Sequence, residues 1–404
     1  MTSSLTRPIN HLFMSSPNDK SPLNQGARSF ELEGGRLTVK IHWADQPFDE
    51  LCAVASRLNA KRPFIFVSKV LGKHWPCQPQ AMTWTHEALA AKLGPLPGPV
   101  LFLAMAETAI GLGRGVYESW LDLTGEEAAL FSHTTRYNLG RPVALKIDEP
   151  HSHARDHLVY EPEGEAAQRI FREAQSLVLV DDEISTGRTL FNLALAYSQR
   201  NQGFKKLALV CLTNWLSEEG RVNFLAQAPW KPRESARFVS LLAGEFEFEA
   251  QGPPSPPAPL TRSVGDWALK EELVINRGRL GLRPAQARAL TQKAQRAAEA
   301  EARALGPGPV RVVGSGEFLH EPFVLARTLE KMGFATIFQS TTRTPLAFEG
   351  PIKGKWNFLD NYGEGLDNFL YNADLDYPGQ TFLALEMGSL PTLSGMLGAR
   401  DIQL

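Results

Sequence analysis

Short apolar runs recur along the chain, separated by stretches of helical periodicity. Residues 36–45 (RLTVKIHWAD) alternate apolar and polar positions, as a half-buried strand does. Residues 63–70 (PFIFVSKV), 99–106 (PVLFLAMA), 176–180 (SLVLV) and 206–212 (KLALVCL) are instead continuously apolar. That pattern predicts strands covered on both faces. Leu51, Val54, Ala55 and Leu58 fall at helical spacing and predict a helix over 49–59. A second helix is predicted over 85–93 with Thr85 as its N-cap, and a third over 188–200. Strands alternating with helices indicate an α/β domain whose sheet is mainly parallel, with helices on both faces.

The pattern breaks at residues 251–260 (QGPPSPPAPL), whose five prolines suit neither a helix interior nor a central strand. Residues 266–305, rich in Ala, Arg, Gln and Glu, are predicted mostly helical, with Pro284 opening the second helix. VRVVGSGE (310–317), a helix near 322–332, ATIFQSTTRTP (335–345) and TFLALE (381–386) then predict a second, smaller α/β domain. The expected organisation is a mobile polar arm over 1–35, a first domain over 36–250 and a Pro-rich linker over 251–261. A helical connector over 262–306 and the second domain over 307–404 complete it.

Composition narrows the function classes. The chain has 404 residues, enough for two or three domains. Its 42 Lys and Arg against 44 Asp and Glu give a net charge of −2, which argues against a nucleic-acid coat. The three cysteines, Cys52, Cys77 and Cys211, are widely spaced and form no CxxC. They offer neither a disulfide framework nor a zinc ribbon and fit a reducing compartment. The first twenty residues lack an apolar signal core, and no run of about 18 apolar residues occurs. The expectation is a cytoplasmic protein with neither membrane nor nucleic acid as partner.

One segment carries chemistry. Residues 177–189 read LVLVDDEISTGRT: an apolar strand, two carboxylates, a small polar loop and the start of a helix. Ser185, Thr186, Gly187, Arg188 and Thr189 can direct consecutive N–H groups at one phosphate, assisted by the helix N-terminus. Gly187 lets the backbone approach closely. Asp181 and Asp182 would repel that phosphate and need partners of their own. A sugar diol or hydrated Mg²⁺ supplies them. Phosphate, ribose diol and Mg²⁺ together describe 5-phosphoribosyl-1-pyrophosphate (PRPP).

The segment resembles the PRPP loop of type I phosphoribosyltransferases, with Glu183 standing where most members carry an apolar residue. AETAIGLG, HTTRY, EPHSHARDH and VDDEISTGRT together resemble the branch found in biosynthetic modules of tellurium-resistance and stress operons. That branch carries a second domain named for a Thr-Arg-Ser-Pro motif. STTRTP at 340–345 matches it, with Thr344 in place of Ser, as do GSGE, the HEP at 320–322 and FLDNYGEG at 358–365. The resemblance covers about residues 36–245 and 308–388.

It implies Mg²⁺-dependent transfer of phosphoribose from PRPP to a base-like acceptor, releasing pyrophosphate and yielding a nucleoside- or nucleotide-like metabolite. Asp181 and Asp182 would hold the ribose hydroxyls or Mg²⁺, directly or through water. Ala106, Glu107, Thr108 and Ala109 would form the pyrophosphate loop, with Lys69, Lys73 and Arg136 as cations. Residues 133–160 would be the mobile loop, with His153 or His157 contacting phosphate or transferring a proton. The spacing His151-x-His153-x₃-His157 mimics a metal site, but no Cys or ordered helix face completes a tetrahedron.

In the second domain Gly314, Ser315 and Gly316 offer N–H groups and Arg343 an anion fork, so this domain is expected to bind acceptor, product or a later substrate. A structural turn accounts for GSGE equally well. Trp43, Trp75, Trp84 and Tyr137 can stack on a base or serve as packing. A PRPP sensor, a scaffold of a multi-enzyme cluster and a phosphorylase-like reverse reaction stay open, as do a homodimer and the acceptor.

Overall fold

The computed structural model describes residues 26–59, 62–147, 157–228, 236–251, 269–274 and 278–404. Five parallel strands form the central sheet, in the spatial order Ala236–Val239, Lys206–Val210, Ser176–Val180, Val100–Ala104, Ala129–His133. The continuous apolar runs have a direct cause. Leu101, Leu103, Leu177, Leu179, Leu207 and Leu209 face one core. Their neighbours Val100, Phe102, Val178, Val180, Ala208 and Val210 face another. Successive strand residues alternate sides, so a sheet covered on both faces reads as unbroken hydrophobicity. The strand order reverses between Val100–Ala104 and Ser176–Val180. Such a crevice at the carboxyl edge is where open α/β sheets take ligands.

Helix Ala109–Thr124 packs directly on this sheet. A Cβ added to Gly113 would lie 2.5 Å from the Ala104 Cβ. Gly113→Ala is therefore expected to overpack the contact and destabilise the fold by about 1–3 kcal/mol, measurable as a lower urea midpoint.

A second sheet continues the first beyond the acids. Its order is Gly26–Leu32, Gly35–Ala44, Leu242–Ala250, Thr213–Asn214, Glu183–Ile184. Gly26–Leu32, expected within the polar arm, is thus an antiparallel edge strand. Residues 1–25 of the arm lie outside the described residues, as do all of the Pro-rich linker except Gln251 and much of the connector before Gly278.

Two local expectations are corrected. Over 49–59 the helix stops at Leu51, and Cys52–Ser56 is a strand paired antiparallel with Phe64–Ser68. Both faces of that strand are largely buried, so pairing overrides the helical spacing. Thr85 is not a cap: its helix runs Pro79–Leu93, opened by the proline, and the Thr85 hydroxyl donates to the Ala81 carbonyl.

Helix Pro284–Ala302 does open at its proline. Just before it, Leu282 exchanges two backbone hydrogen bonds with Phe131 (2.7 and 2.9 Å), covering the open side of edge strand Ala129–His133. The C-terminal sheet is parallel, in the order Thr336–Ser340, Val310–Gly314, Gln380–Leu385, Arg400–Gln403. Its own reversal lies between Val310–Gly314 and Gln380–Leu385. Among the described residues no helix is long and apolar enough to cross a membrane.

Candidate active site

Three loops meet at the carboxyl edge of the central sheet because their strands are neighbours. Residues 181–187 follow Ser176–Val180, residues 105–108 follow Val100–Ala104, and residues 134–136 follow Ala129–His133. The first loop is held by Asp181 N–H donating to the Val210 carbonyl at 3.0 Å and by Glu183–Ile184 pairing with Thr213–Asn214. It therefore bridges the two sheets. Gly187 adopts φ 69°, a left-handed conformation that turns the chain into helix Arg188–Arg200. The N–H groups of Ser185, Thr186 and Gly187 make no backbone hydrogen bond among the described residues. Thr186 Oγ1 accepts from the Arg188 N–H at 3.4 Å. This is a turn of free donors leading into a helix N-terminus, the arrangement an anion needs.

Asp181 and Asp182 stand beside it, with the Asp182 N–H donating to Asp181 Oδ1 at 3.0 Å. Burial, then the neighbouring Asp182 charge, raises the Asp181 carboxyl well above its ordinary range. Burial also raises Asp182, opposed by its hydrogen bonds and by the Arg62 and Lys73 charges. Glu183, the unusual third acid, forms an ion pair with Arg62, whose guanidinium lies 4.8 Å from the centre of the Phe64 ring. Arg62 was not legible as a site residue, because 121 residues separate it from its partner.

The second loop is anchored on several sides. The Met105 N–H donates to the Val180 carbonyl at 2.9 Å, and the Ala106 N–H donates to Thr134 Oγ1 at 2.8 Å. The Ala106–Glu107 peptide is cis, and helix Ala109–Thr124 begins just after Thr108. Thr134 Oγ1 lies 3.0 Å from His157 Nδ1, and Arg136 donates to His157 Nε2 at 2.8 Å. A guanidinium can only donate, so Nε2 accepts and the imidazole proton sits on Nδ1, facing Thr134. His157 and Arg136 thus brace the second loop. His153, with His151 and Arg155, lies outside the described residues.

Of the other cations, Lys69 donates to the Asp49 carbonyl at 2.6 Å and lies over Trp75. Lys73 is fully buried; it forms an ion pair with Glu107 and donates to the Gly316 carbonyl of the C-terminal domain at 2.7 Å. Burial lowers its pKa against the opposing pull of Glu107.

The carboxyl edge of the C-terminal sheet therefore faces that of the first. In its turn, Ser315 O accepts from the Phe318 N–H, and the Gly316 N–H donates to Thr341 Oγ1 at 2.9 Å. The Gly316 N–H is thus already committed to holding a turn. Arg343 pairs with Glu364 at 3.1 Å and Asp360 at 3.4 Å and donates to the Tyr137 hydroxyl at 2.8 Å. Its fork is already engaged by two carboxylates. Tyr137 is buried against Tyr362, ring centres 4.7 Å apart, so it serves as packing between the domains.

Sequence reasoning also missed Arg279. Its guanidinium meets Glu386 through two bonds of 2.6 and 3.0 Å and Glu317 at 2.9 Å. Glu317 in turn accepts from the Thr135 hydroxyl at 2.7 Å. Glu317 and Glu386 flank the strand-order reversal of the C-terminal sheet, so Arg279 fills the crevice where a ligand would enter.

Residues 51–245 match the family model of a phosphoribosyl transferase, and residues 276–397 match that of the TRSP domain C-terminal to it. No curated protein matches the sequence significantly. Among solved structures, the chain is similar to an adenine phosphoribosyl transferase from Trypanosoma brucei in complex with AMP, pyrophosphate and ribose-5-phosphate. That likeness has 13% identity and a TM-score of 0.35, over 48% of this chain and 77% of that one. An adenine enzyme from Giardia lamblia complexed with 9-deazaadenine shows 14% identity and a TM-score of 0.31, over 48% and 95%. A hypoxanthine phosphoribosyltransferase from Trypanosoma cruzi with IMP shows 13% and 0.26, over 40% and 74%. The chain thus joins a phosphoribosyl transferase domain to a C-terminal TRSP domain, one in each of its α/β halves.

Proposed function

We propose that the chain transfers phosphoribose from PRPP to a base-like acceptor, with Mg²⁺ and release of pyrophosphate. The observation that carries this reading is the placing of free N–H donors at 185–187 beside the adjacent acids Asp181 and Asp182 at the strand-order reversal. The 5-phosphate is bound by residues 185–189. Asp181 and Asp182 accept hydrogen bonds from the ribose hydroxyls. Thr134 holds the 106–109 loop by accepting the Ala106 N–H, which leaves the N–H groups of Glu107, Thr108 and Ala109 for the diphosphate.

The donor set suits Mg²⁺. Asp181 and Asp182 are hard oxygen ligands whose mutual repulsion a divalent ion relieves, and Mg²⁺ uses few protein carboxylates beside waters and phosphates. Bound there, the ion supplies charge neutralisation to the diphosphate. The chain's own contribution is positioning and electrostatics, since C1 needs an aligned nucleophile and a stabilised leaving group rather than a covalent intermediate. The resemblance to the tellurium-resistance branch points to a nucleoside- or nucleotide-like product.

Calorimetric titration of PRPP with and without Mg²⁺ tests the reading. Mg²⁺-dependent binding is expected, with pyrophosphate released once a competent base is added. Absence of binding under both conditions would refute it. Binding with no release across a broad panel of bases would instead favour a sensor.

A further inference from the structure

We infer that the TRSP domain completes the diphosphate half of the transferase site, with Glu107 as the positioning residue that ties the 106–109 loop to it. The inference rests on the reading of residues 181–189 as a PRPP site. A carboxylate inside a diphosphate loop opposes the ligand unless its charge is spent elsewhere. Here one oxygen of Glu107 pairs with buried Lys73, whose ammonium also donates to the Gly316 carbonyl of the GSGE turn. The other accepts from the backbone N–H of Arg343, in the TTRTP turn, at 3.5 Å. Both signature turns of the C-terminal domain thus converge on one side chain of the first domain's loop.

The opposite face of the loop is held within the first domain, by Thr134 and Val180. The loop is clamped between the domains, with its backbone donors fixed for an incoming diphosphate. The rest of the TRSP edge is occupied by the protein itself. Arg279 fills the crevice between Glu317 and Glu386, and Arg343 is held by Asp360 and Glu364. Such an edge has been turned into a contact surface.

The test compares three probes by calorimetry: PRPP with Mg²⁺, inorganic pyrophosphate with Mg²⁺, and ribose 5-phosphate, which lacks the diphosphate. Glu107→Gln keeps the shape and removes the charge. Gly316→Ala acts from the other domain: an added Cβ would meet the Tyr362 ring at 2.9 Å and shift the turn that holds Lys73. Both variants are expected to weaken PRPP and pyrophosphate about tenfold or more, the size of a lost charge-assisted contact, and to leave ribose 5-phosphate unchanged. Equal weakening of all three probes, or no weakening of any, would overturn the inference. If Gly316→Ala fails to fold, Thr341→Val removes the acceptor for the Gly316 N–H and is read the same way. Wild-type protein that binds neither PRPP nor ribose 5-phosphate overturns the underlying reading. Wild-type binding with unaffected variants overturns only the role of the TRSP domain.

Discussion

Asp181→Asn and Asp182→Asn are each expected to lower pyrophosphate release from PRPP about 100-fold or more, and to make the ligand-free protein more stable. The two effects share a cause. Burial and the adjacent charge raise the Asp181 carboxyl, and burial raises Asp182. A carboxyl whose folded pKa exceeds its unfolded value binds more protons in the folded state. Its penalty is absent below the unfolded pKa and grows as pH rises through the window between the two values. The melting temperature of the ligand-free protein should therefore carry a component that falls as pH rises above the ordinary carboxylate range. Either Asn variant should flatten that component and melt a few degrees higher at neutral pH. Ligand binding has the opposite dependence. Partners that favour the ionised pair displace protons, so PRPP with Mg²⁺ should bind more tightly as pH rises through the same window. A variant with full turnover, or one that melts lower, would contradict the assignment.

Arg279→Met should destabilise the chain by about 3–5 kcal/mol, read from urea unfolding. Arg279 is 2% exposed and its partners Glu317 and Glu386 are nearly as buried, so removing the guanidinium leaves two carboxylates without their cation. The triple variant Arg279→Met, Glu317→Gln, Glu386→Gln should recover most of the loss, because burying neutral amides costs far less than burying unpaired charge. A single variant as stable as wild type would mean that the cluster holds nothing together.

Much of the fold is written locally. SLVLV at 176–180 and the helix from Arg188 to Arg200 appear in the structure with the bounds their pattern predicts, because a strand buried on both faces and a helix opened by glycine need no distant information. Cys52–Ser56 is different. Its apolar spacing suits a helix, and only pairing with Phe64–Ser68 makes it a strand. The acid pair and the glycine turn after it could be read together because they lie within nine consecutive residues. Arg62 with Glu183, Lys73 with Glu107, and Arg279 with Glu317 and Glu386 were not. Each joins residues 34 to 121 positions apart, and a lone charged residue in a sequence carries no mark of the carboxylate it will meet. For the same reason Arg343 reads as an anion fork in sequence, yet meets Asp360 and Glu364 in the folded chain.

The bonds between Leu282 and Phe131 have a bearing on how the protein is made. Ribosomal synthesis delivers Ala129–His133 about 150 residues before the segment that covers it. During that interval the nascent first domain presents a strand with an unmatched row of amides and carbonyls, the feature that templates pairing between chains. Slowing translation before residue 282, or cutting a gene fragment just after residue 250, should therefore favour clumping of the emerging chains and their capture by holdase chaperones. Fragments that extend through helix Pro284–Ala302 should be spared.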